Sequence, residues 1–460
     1  MKKQRVGNCH MLGVKGELTQ GPILKVLTKL ALPIMASAFL ATAYNITDMA
    51  WIGMLGSKAV AGVGVGGMYV WLSSGLATLA RTGGQVHVAQ SIGKGDLDSA
   101  KAYASAAIWL SVLFGLLFGA ICLIFTNPLV SFFQLDDPSA ITHAKKYLRI
   151  ACGLVVFSYI NMVLTGIYTA QGDSKTPLKA NFIGLVLNMI LDPLLILGIG
   201  AFPRMEAVGA AIATVFAQAI VTVLMIALLW SRQSAGNLLR NVKICKIPQK
   251  NYIKNVLALG GPTALQSMLY CMFSMVLSRM VSGFGDGAMA VQRVGGQIES
   301  ISWNTADGFA SAMNAFSAQN YGANKMDRVK KGYKMSAIVV FLWGAFVAFL
   351  FIVFPRQLSS IFFHEVEVIA LSVDYLRILG IGEAFMCLEL MAVGAISGMG
   401  NTKLCSIITI ILTGVRIPLA FALSRTPLQL NGIWWALTIS SIAKGLVLNG
   451  AFYRECKKKG

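Results

Sequence analysis

Two carboxylates set in apolar surroundings carry the first chemical signal of this chain. Asp48 ends the run Tyr44-Asn45-Ile46-Thr47-Asp48, and Asp192 lies in Asn188-Met189-Ile190-Leu191-Asp192-Pro193. A charge at the centre of a membrane helix costs roughly 2.5–3.5 kcal/mol on insertion scales, so such residues point to handling of ions or substrate. Asn188 and Asp192 are four apart and share a helix face. Pro193 has no backbone donor, which frees a carbonyl one turn back. A carboxylate, an amide oxygen and a free carbonyl together suit a proton or a hard cation such as Na⁺. The competing reading is a pair of polar residues at helix ends, level with the membrane interface.

A second set of charges lies in the other half of the chain. Arg293, Glu299 and Asp307 fall in one apolar segment, Glu383 and Glu389 in another, and Arg416 and Lys444 in two more. Glu299, Asp307, Glu383 and Glu389 either line a cavity that attracts cationic substrates or pair between helices with Arg416 and Lys444. Other motifs carry less. The run from Gly62 to Gly67 looks like a dinucleotide fingerprint, but no strand precedes it, and small-residue helix packing explains it better. No Walker A sequence is present, so ATP is not the direct energy source. The eight cysteines form no CxxC pair and the four histidines are scattered, so no zinc site and no cofactor are expected.

These residues need membrane helices to hold them. Of the 460 residues, 56% are hydrophobic and 13% charged, with a mean hydropathy of +0.68. A soluble globular chain carries about 25% charged residues. Apolar stretches of about 20 residues recur throughout, each long enough to cross roughly 30 Å of hydrocarbon. Twelve spans are expected near 22–47, 59–82, 102–126, 147–170, 178–200, 206–230, 252–280, 288–315, 333–354, 370–397, 404–424 and 432–453. The first is interrupted by Pro33 and carries Asp48 at its end. The net charge of +20 comes from Lys and Arg gathered in alternate loops, which is the positive-inside pattern and not a nucleic-acid signature. Both termini are therefore expected in the cytoplasm. No apolar stretch precedes Ile23, so no cleaved signal peptide is expected.

The chain also repeats itself. Displaced by 229 residues it matches without a gap from Pro33 to Lys101: Pro33 meets Pro262, Gly56 meets Gly285, Gln90 meets Gln319 and Gly93 meets Gly322. Shared hydrophobicity would align Leu with Leu but not Pro, Gln, Asp and Lys. Six spans separate equivalent positions, so the halves share one orientation, related by an axis along the membrane normal with the substrate path between them. The expected organisation is an N-terminal six-helix bundle (1–230), a basic cytoplasmic linker (231–251) and a C-terminal six-helix bundle (252–460). The acids do not repeat. Asp48 aligns with Leu277, and Asp192 aligns with Ile417 when Pro193 is set against Pro418, so the fold itself does not require them.

Together these stretches resemble the multidrug and toxic compound extrusion (MATE) family, over about residues 21–453. The resemblance rests on Leu32-Pro33, on Tyr44 to Asp48 with Gly53-Met54-Leu55-Gly56, on Thr165 to Pro177, on Asn188 to Pro193, and on Val208 to Thr214. Gln319-Asn320-Tyr321-Gly322-Ala323 and Gly398 to Lys403 extend it into the second half. It is nearest to the prokaryotic branch with a cation site in the N-terminal lobe. The resemblance implies an all-α polytopic protein of twelve helices in two pseudo-twofold-related bundles, V-shaped, in the cell membrane and active as a monomer. It implies export of organic cations in exchange for inward H⁺ or Na⁺ by alternating access. Asp48 and Asp192 match the acidic residues of that site, Asn188 its amide and Thr214 its hydroxyl. Tyr44 and Asn161 match polar positions of the same cavity, and Pro33 is the expected hinge. One departure concerns the seventh span: relatives with a C-lobe cation site carry a Glu there, and Leu265 to Leu277 contains no acid. A lipid-linked oligosaccharide or lipid flippase of the same superfamily is the alternative. It would need a strongly cationic cavity, whereas buried acids here at least match the bases. A membrane enzyme would need clustered catalytic groups, and none appears.

Overall fold

The computed structural model describes residues 18–133, 137–199, 203–230, 242 and 247–459. Among them there is no strand. The helices of the first half are α1 (Ile23–Gly53), α2 (Ser57–Lys94), α3 (Leu97–Ile124), α4 (Thr126–Ser131), α5 (Pro138–Ala151), α6 (Val156–Ala170), α7 (Lys175–Leu197) and α8 (Ala207–Trp230). Those of the second half are α9 (Lys250–Ser282), α10 (Asp286–Gly322), α11 (Met326–Val353), α12 (Pro355–Ser360), α13 (Val366–Gly398), α14 (Thr402–Gly414), α15 (Arg416–Ser424) and α16 (Gln429–Lys459).

All twelve expected spans are present. Nine helical stretches among the described residues are long and apolar enough to cross a membrane alone, α14 and α15 counting as one, and the pair α5–α6, bent by 48°, makes a tenth. α10, with 37 residues, and α16, with 31, complete the twelve; their polar and charged residues hold their hydropathy down. The expected linker lies mostly outside the described residues, and α9 already begins at Lys250. The first span differs from expectation. α1 is helical straight through Pro33, and Asp48 lies inside it, not at its end. A proline in a helix removes one backbone bond, and the packing on either side holds the rest of the helix in register.

That packing changes partner along α1. Before Pro33, Leu27, Leu30 and Ala31 are buried among Phe309 and Met313 of α10 and Met391 and Ala395 of α13. Beyond it, Ile52 is buried with Ala59 of α2, Ile196 of α7 and Ala210 of α8. α9 mirrors this around Pro262. Val256 and Leu259 join Val86, Ala107 and Ile167 of the first half, whereas Leu277 and Val281 join Val291, Leu379 and Trp434 of the second. Each bundle thus takes the opening turns of the other's first helix into its own core. Gly56 and Gly285, 229 apart, precede α2 and α10 with φ of 98° and 102°, a backbone shape that a side chain would strain.

The bundles meet at the side that carries Leu18 and the C-terminal end of α16. Gln85 of α2 donates its amide to Asn314 Oδ1 of α10 at 3.1 Å, and these residues are also 229 apart, so the pseudo-twofold axis passes between them. Two further bonds mirror each other about that axis. Gln90 donates to the Gly398 carbonyl at 3.0 Å and Gln319 to the Ala170 carbonyl at 2.6 Å. A Cβ on Gly93 would strike the Gln319 carbonyl oxygen, and one on Gly322 would strike that of Gln90, so both positions need glycine for the helices to close up. The segment before α1 crosses this contact as a strap. The Leu18 N–H donates to Gln319 Oε1 at 3.0 Å, Asn320 donates to the Leu18 carbonyl at 3.2 Å, and Arg328 donates to the Gln20 carbonyl at 2.7 Å.

Candidate ion-coupling and substrate site

α1, α7 and α8 bring the first-half residues together in the part of the membrane beyond this seal. Asp192 is fully buried, Asn188 is 2% exposed and Asp48 is 8% exposed. The Asn188 side chain lies against Asp192 one turn on. In the amide orientation that satisfies both neighbours, it donates to Asp192 Oδ2 at 2.8 Å and accepts the Thr214 N–H at 3.2 Å. Tyr44 and Thr214 share a hydrogen bond of 2.7 Å between their hydroxyls. Thr214 already donates its proton to the Ala210 carbonyl at 2.9 Å, so Tyr44 is the donor to Thr214. Asp48 Oδ1 has no hydrogen-bond partner among the described residues. Asp48 also lies near enough to act electrostatically on Asp192. A buried carboxylate oxygen without a partner carries a desolvation penalty that a proton or cation removes.

Asn161 is placed differently from the acids. Its amide donates to the Gln218 carbonyl at 3.0 Å and accepts the Thr222 hydroxyl at 2.8 Å, which ties α6 to α8. Tyr147 of α5 was not anticipated. It lies within electrostatic reach of Asp48 and of Asp192, with its ring against Gly66. The repeat contained the signal: Tyr375 stands 228 residues on, and its ring lies against Gly295, the counterpart of Gly66. Among the described residues no three of His, Cys, Asp and Glu cluster as metal ligands. A cation here would therefore be held by two carboxylates and neutral oxygens, which suits H⁺ or Na⁺ and not a transition metal.

The second-half acids form a separate group. Glu389 pairs with Lys444 at 2.7 Å, both buried. Glu383, 1% exposed, stands near Glu299 and Ser302 with Oε2 unpartnered. Glu299 is half-buried and feels the charges of Arg416 and Lys444. Asp307, also half-buried, faces Arg81 of α2 across the gap between the bundles. Pro33 lies below both groups, at the point where α1 changes bundle. The structure thus unites Asp48, Asn188, Asp192, Thr214 and Tyr44, and keeps Glu299, Asp307, Glu383 and Glu389 apart from them.

Two six-helix bundles about an axis along the membrane normal, with buried acids facing inward, define a multi-pass transporter of the repeat-built kind. The MatE family model matches residues 33–194 and 262–422, one stretch in each half, and the chain belongs to that family of small-molecule transporters, which are not enzymes. It is 27% identical over 416 residues to the "Probable multidrug resistance protein NorM" of Thermotoga maritima, covering 90% of this chain and 88% of that protein. It is 25% identical over 443 residues to an FAD transporter of Shewanella oneidensis, covering 96% of each. In three dimensions it resembles a MOP superfamily transporter from Pyrococcus furiosus with a TM-score of 0.89, at 22% identity, over 97% of this chain and 98% of that one.

Proposed function

We propose that the protein exports organic cations, including drugs, across the cell membrane in exchange for inward H⁺ or Na⁺. The juxtaposition of Asp48 and Asp192 inside one bundle supports this reading most. Two nearby carboxylates in low-dielectric surroundings resist carrying two negative charges, and one captured cation relieves both. Asn188 orients Asp192, and Thr214 and Tyr44 brace Asn188, without cancelling the charge of the acids. In the arrangement seen here the seal of Gln85, Asn314, Gln90 and Gln319 is closed and the acids lie beyond it. Taken with the positive-inside loop pattern, which favours termini in the cytoplasm, this supports reading the arrangement as the state open to the outside.

Capture of a cation then lets α1 bend at Pro33, where it passes from one core to the other. The N-terminal cavity contracts and releases its cargo outward. The two six-helix bundles, residues 1–230 and 252–460, move as units joined by the linker, and one chain suffices. Exchange of one inward H⁺ or Na⁺ for one outward monovalent cation moves no net charge, so the ion's concentration gradient drives it: each tenfold gradient of the ion, worth about 1.4 kcal/mol, supports a tenfold gradient of substrate. The test is export of ethidium from proteoliposomes with H⁺ and Na⁺ gradients imposed separately. One of them is expected to drive export against a gradient. Export driven by neither would refute the proposal.

A further inference from the structure

A cavity of about 510 Å³ opens on the surface of the second bundle, at the end where the bundles meet. It lies between α11 and α16 and is lined by Lys330, Tyr453, Arg454, Cys456 and Lys457. Behind it the two helices are fastened together. Tyr333 of α11 stacks on Phe452 of α16 with ring centroids 3.8 Å apart, and both are fully buried. The Tyr333 hydroxyl donates to Asn449 Oδ1 at 2.8 Å, and Tyr453 stands edge-on to the Tyr333 ring. Three cations thus have fixed backbone positions around one opening. Lys330, Arg454 and Lys457 make no ion pair among the described residues. Glu455, the one acid of α16, is buried; it accepts from Asn401 at 3.0 Å and lies 3.5 Å from Lys458. Asp327, the one acid of α11, is exposed in the first turn, where it suits the helix dipole.

Exposed stripes lead from these cations toward the middle of the membrane. On α16, Lys457, Tyr453, Gly450 and Leu446 follow one another at steps of three and four, all exposed on one face. On α11, the exposed Lys334 and Ile338 follow Lys330 at steps of four. A Cβ on Gly450 would meet nothing within 4 Å, so the groove is open there. Inorganic phosphate would need the cations alone. Cations at the membrane surface with apolar tracks running inward from them match a phosphate that carries acyl chains. A zwitterionic headgroup would set its own ammonium against the three cations, and an anionic one would not. We infer that this groove binds an anionic phospholipid, with Arg454, Lys330 and Lys457 on its phosphate and its chains along Leu446 and Ile338. The Arg454 fork suits two phosphate oxygens at once, and Tyr453 stands at headgroup level, where aromatic residues gather. The loop charges make this the cytoplasmic leaflet. The inference does not depend on the export reading, since it concerns the outer surface of the second bundle.

Native mass spectrometry of the full chain in detergent, titrated with phosphatidylglycerol or with phosphatidylcholine of the same chains, tests this. The unsubstituted protein is expected to bind phosphatidylglycerol at least tenfold more tightly. The variant carrying Lys330→Gln, Arg454→Gln and Lys457→Gln is expected to lose that preference. A control that loses three exposed cations of the first bundle, through Lys146→Gln, Arg149→Gln and Arg204→Gln, is expected to keep it. No preference in the unsubstituted protein, or equal loss in both variants, overturns the inference, the latter because net charge would then account for the binding. Tenfold excess of inorganic phosphate or of glycerophosphoglycerol over the lipid is expected to leave the bound phosphatidylglycerol in place. Its displacement by either would show a site that reads phosphate alone and would overturn the lipid assignment. Should the triple variant fail to fold, Arg454→Gln alone is expected to weaken phosphatidylglycerol binding at least threefold, and unchanged binding contradicts the assignment.

Discussion

Among single residues, the same kind of buried acid has been given opposite surroundings in the two bundles. Glu389 sits 2.7 Å from Lys444, and the pair neutralises itself. Removing one partner of a buried pair leaves a naked charge, which costs roughly 3–5 kcal/mol, whereas replacing both by apolar groups is often neutral. Glu389→Gln is therefore expected to destabilise the protein by about that amount, and Glu389→Gln with Lys444→Met to recover most of it, as measured by reversible unfolding in mixed detergent. Asp192 has a neutral partner in Asn188, and Asp48 Oδ1 has none among the described residues. Thr214 accepts the Tyr44 hydroxyl proton and donates its N–H to the Asn188 side-chain oxygen. Thr214→Val strands the Tyr44 donor and loosens the group around Asp192. The expected result is a rise of about tenfold in the ion concentration that half-activates transport, the scale of one buried hydrogen bond. Initial rates across a titration of the coupling ion check it. The acids, Asn188 and the lone charges were legible in the sequence because a polar side chain stands out in an apolar run. Tyr147 was not, since an aromatic residue in a membrane span is ordinary until its neighbours across the bundle are known.

At the level of helices, the spans were readable and their ends were not. Hydropathy placed the eighth span at 288–315, whereas α10 runs from Asp286 to Gly322 and carries Asn320 and Gln319 into the seal. The fourth span was expected to start at 147. Its first helix instead begins at Pro138, with Lys145, Lys146 and Arg149 masking the pattern. Hydropathy sees only hydrocarbon depth, so a helix that continues into polar surroundings goes unseen. The repeat did expose Gln90, Gln319, Gly93 and Gly322 as equivalent pairs. What they do depends on contacts between distant helices, which no spacing reveals. Gly322→Ala puts a methyl into the Gln90 carbonyl oxygen. It is expected to hold the seal apart and reduce transport at least tenfold. Spin labels at Lys94→Cys and Lys331→Cys, on exposed ends of α2 and α11, read the effect directly: their separation should lengthen in the variant, and an unchanged distance would refute the role given to these glycines.

For the whole molecule, the arrangement is two bundles that exchange the first turns of their leading helices and close on one axis. Motion of one bundle against the other must then pass through α1 and α9, the elements that belong to both cores and carry Pro33 and Pro262 at the crossing. On the proposed reading, this couples a local event, a cation arriving at Asp48 and Asp192, to a global one. It also explains why the acids need appear in one half only: a single trigger on α1 and α7 suffices when the two bundles share their first helices. The most direct test is gradient-driven export of ethidium by Asp192→Asn in proteoliposomes, beside the unsubstituted protein at matched incorporation. Export is expected to fall to the level of protein-free liposomes while the gel-filtration profile stays that of a folded monomer. Export at the unsubstituted rate would contradict the coupling role of the acid pair.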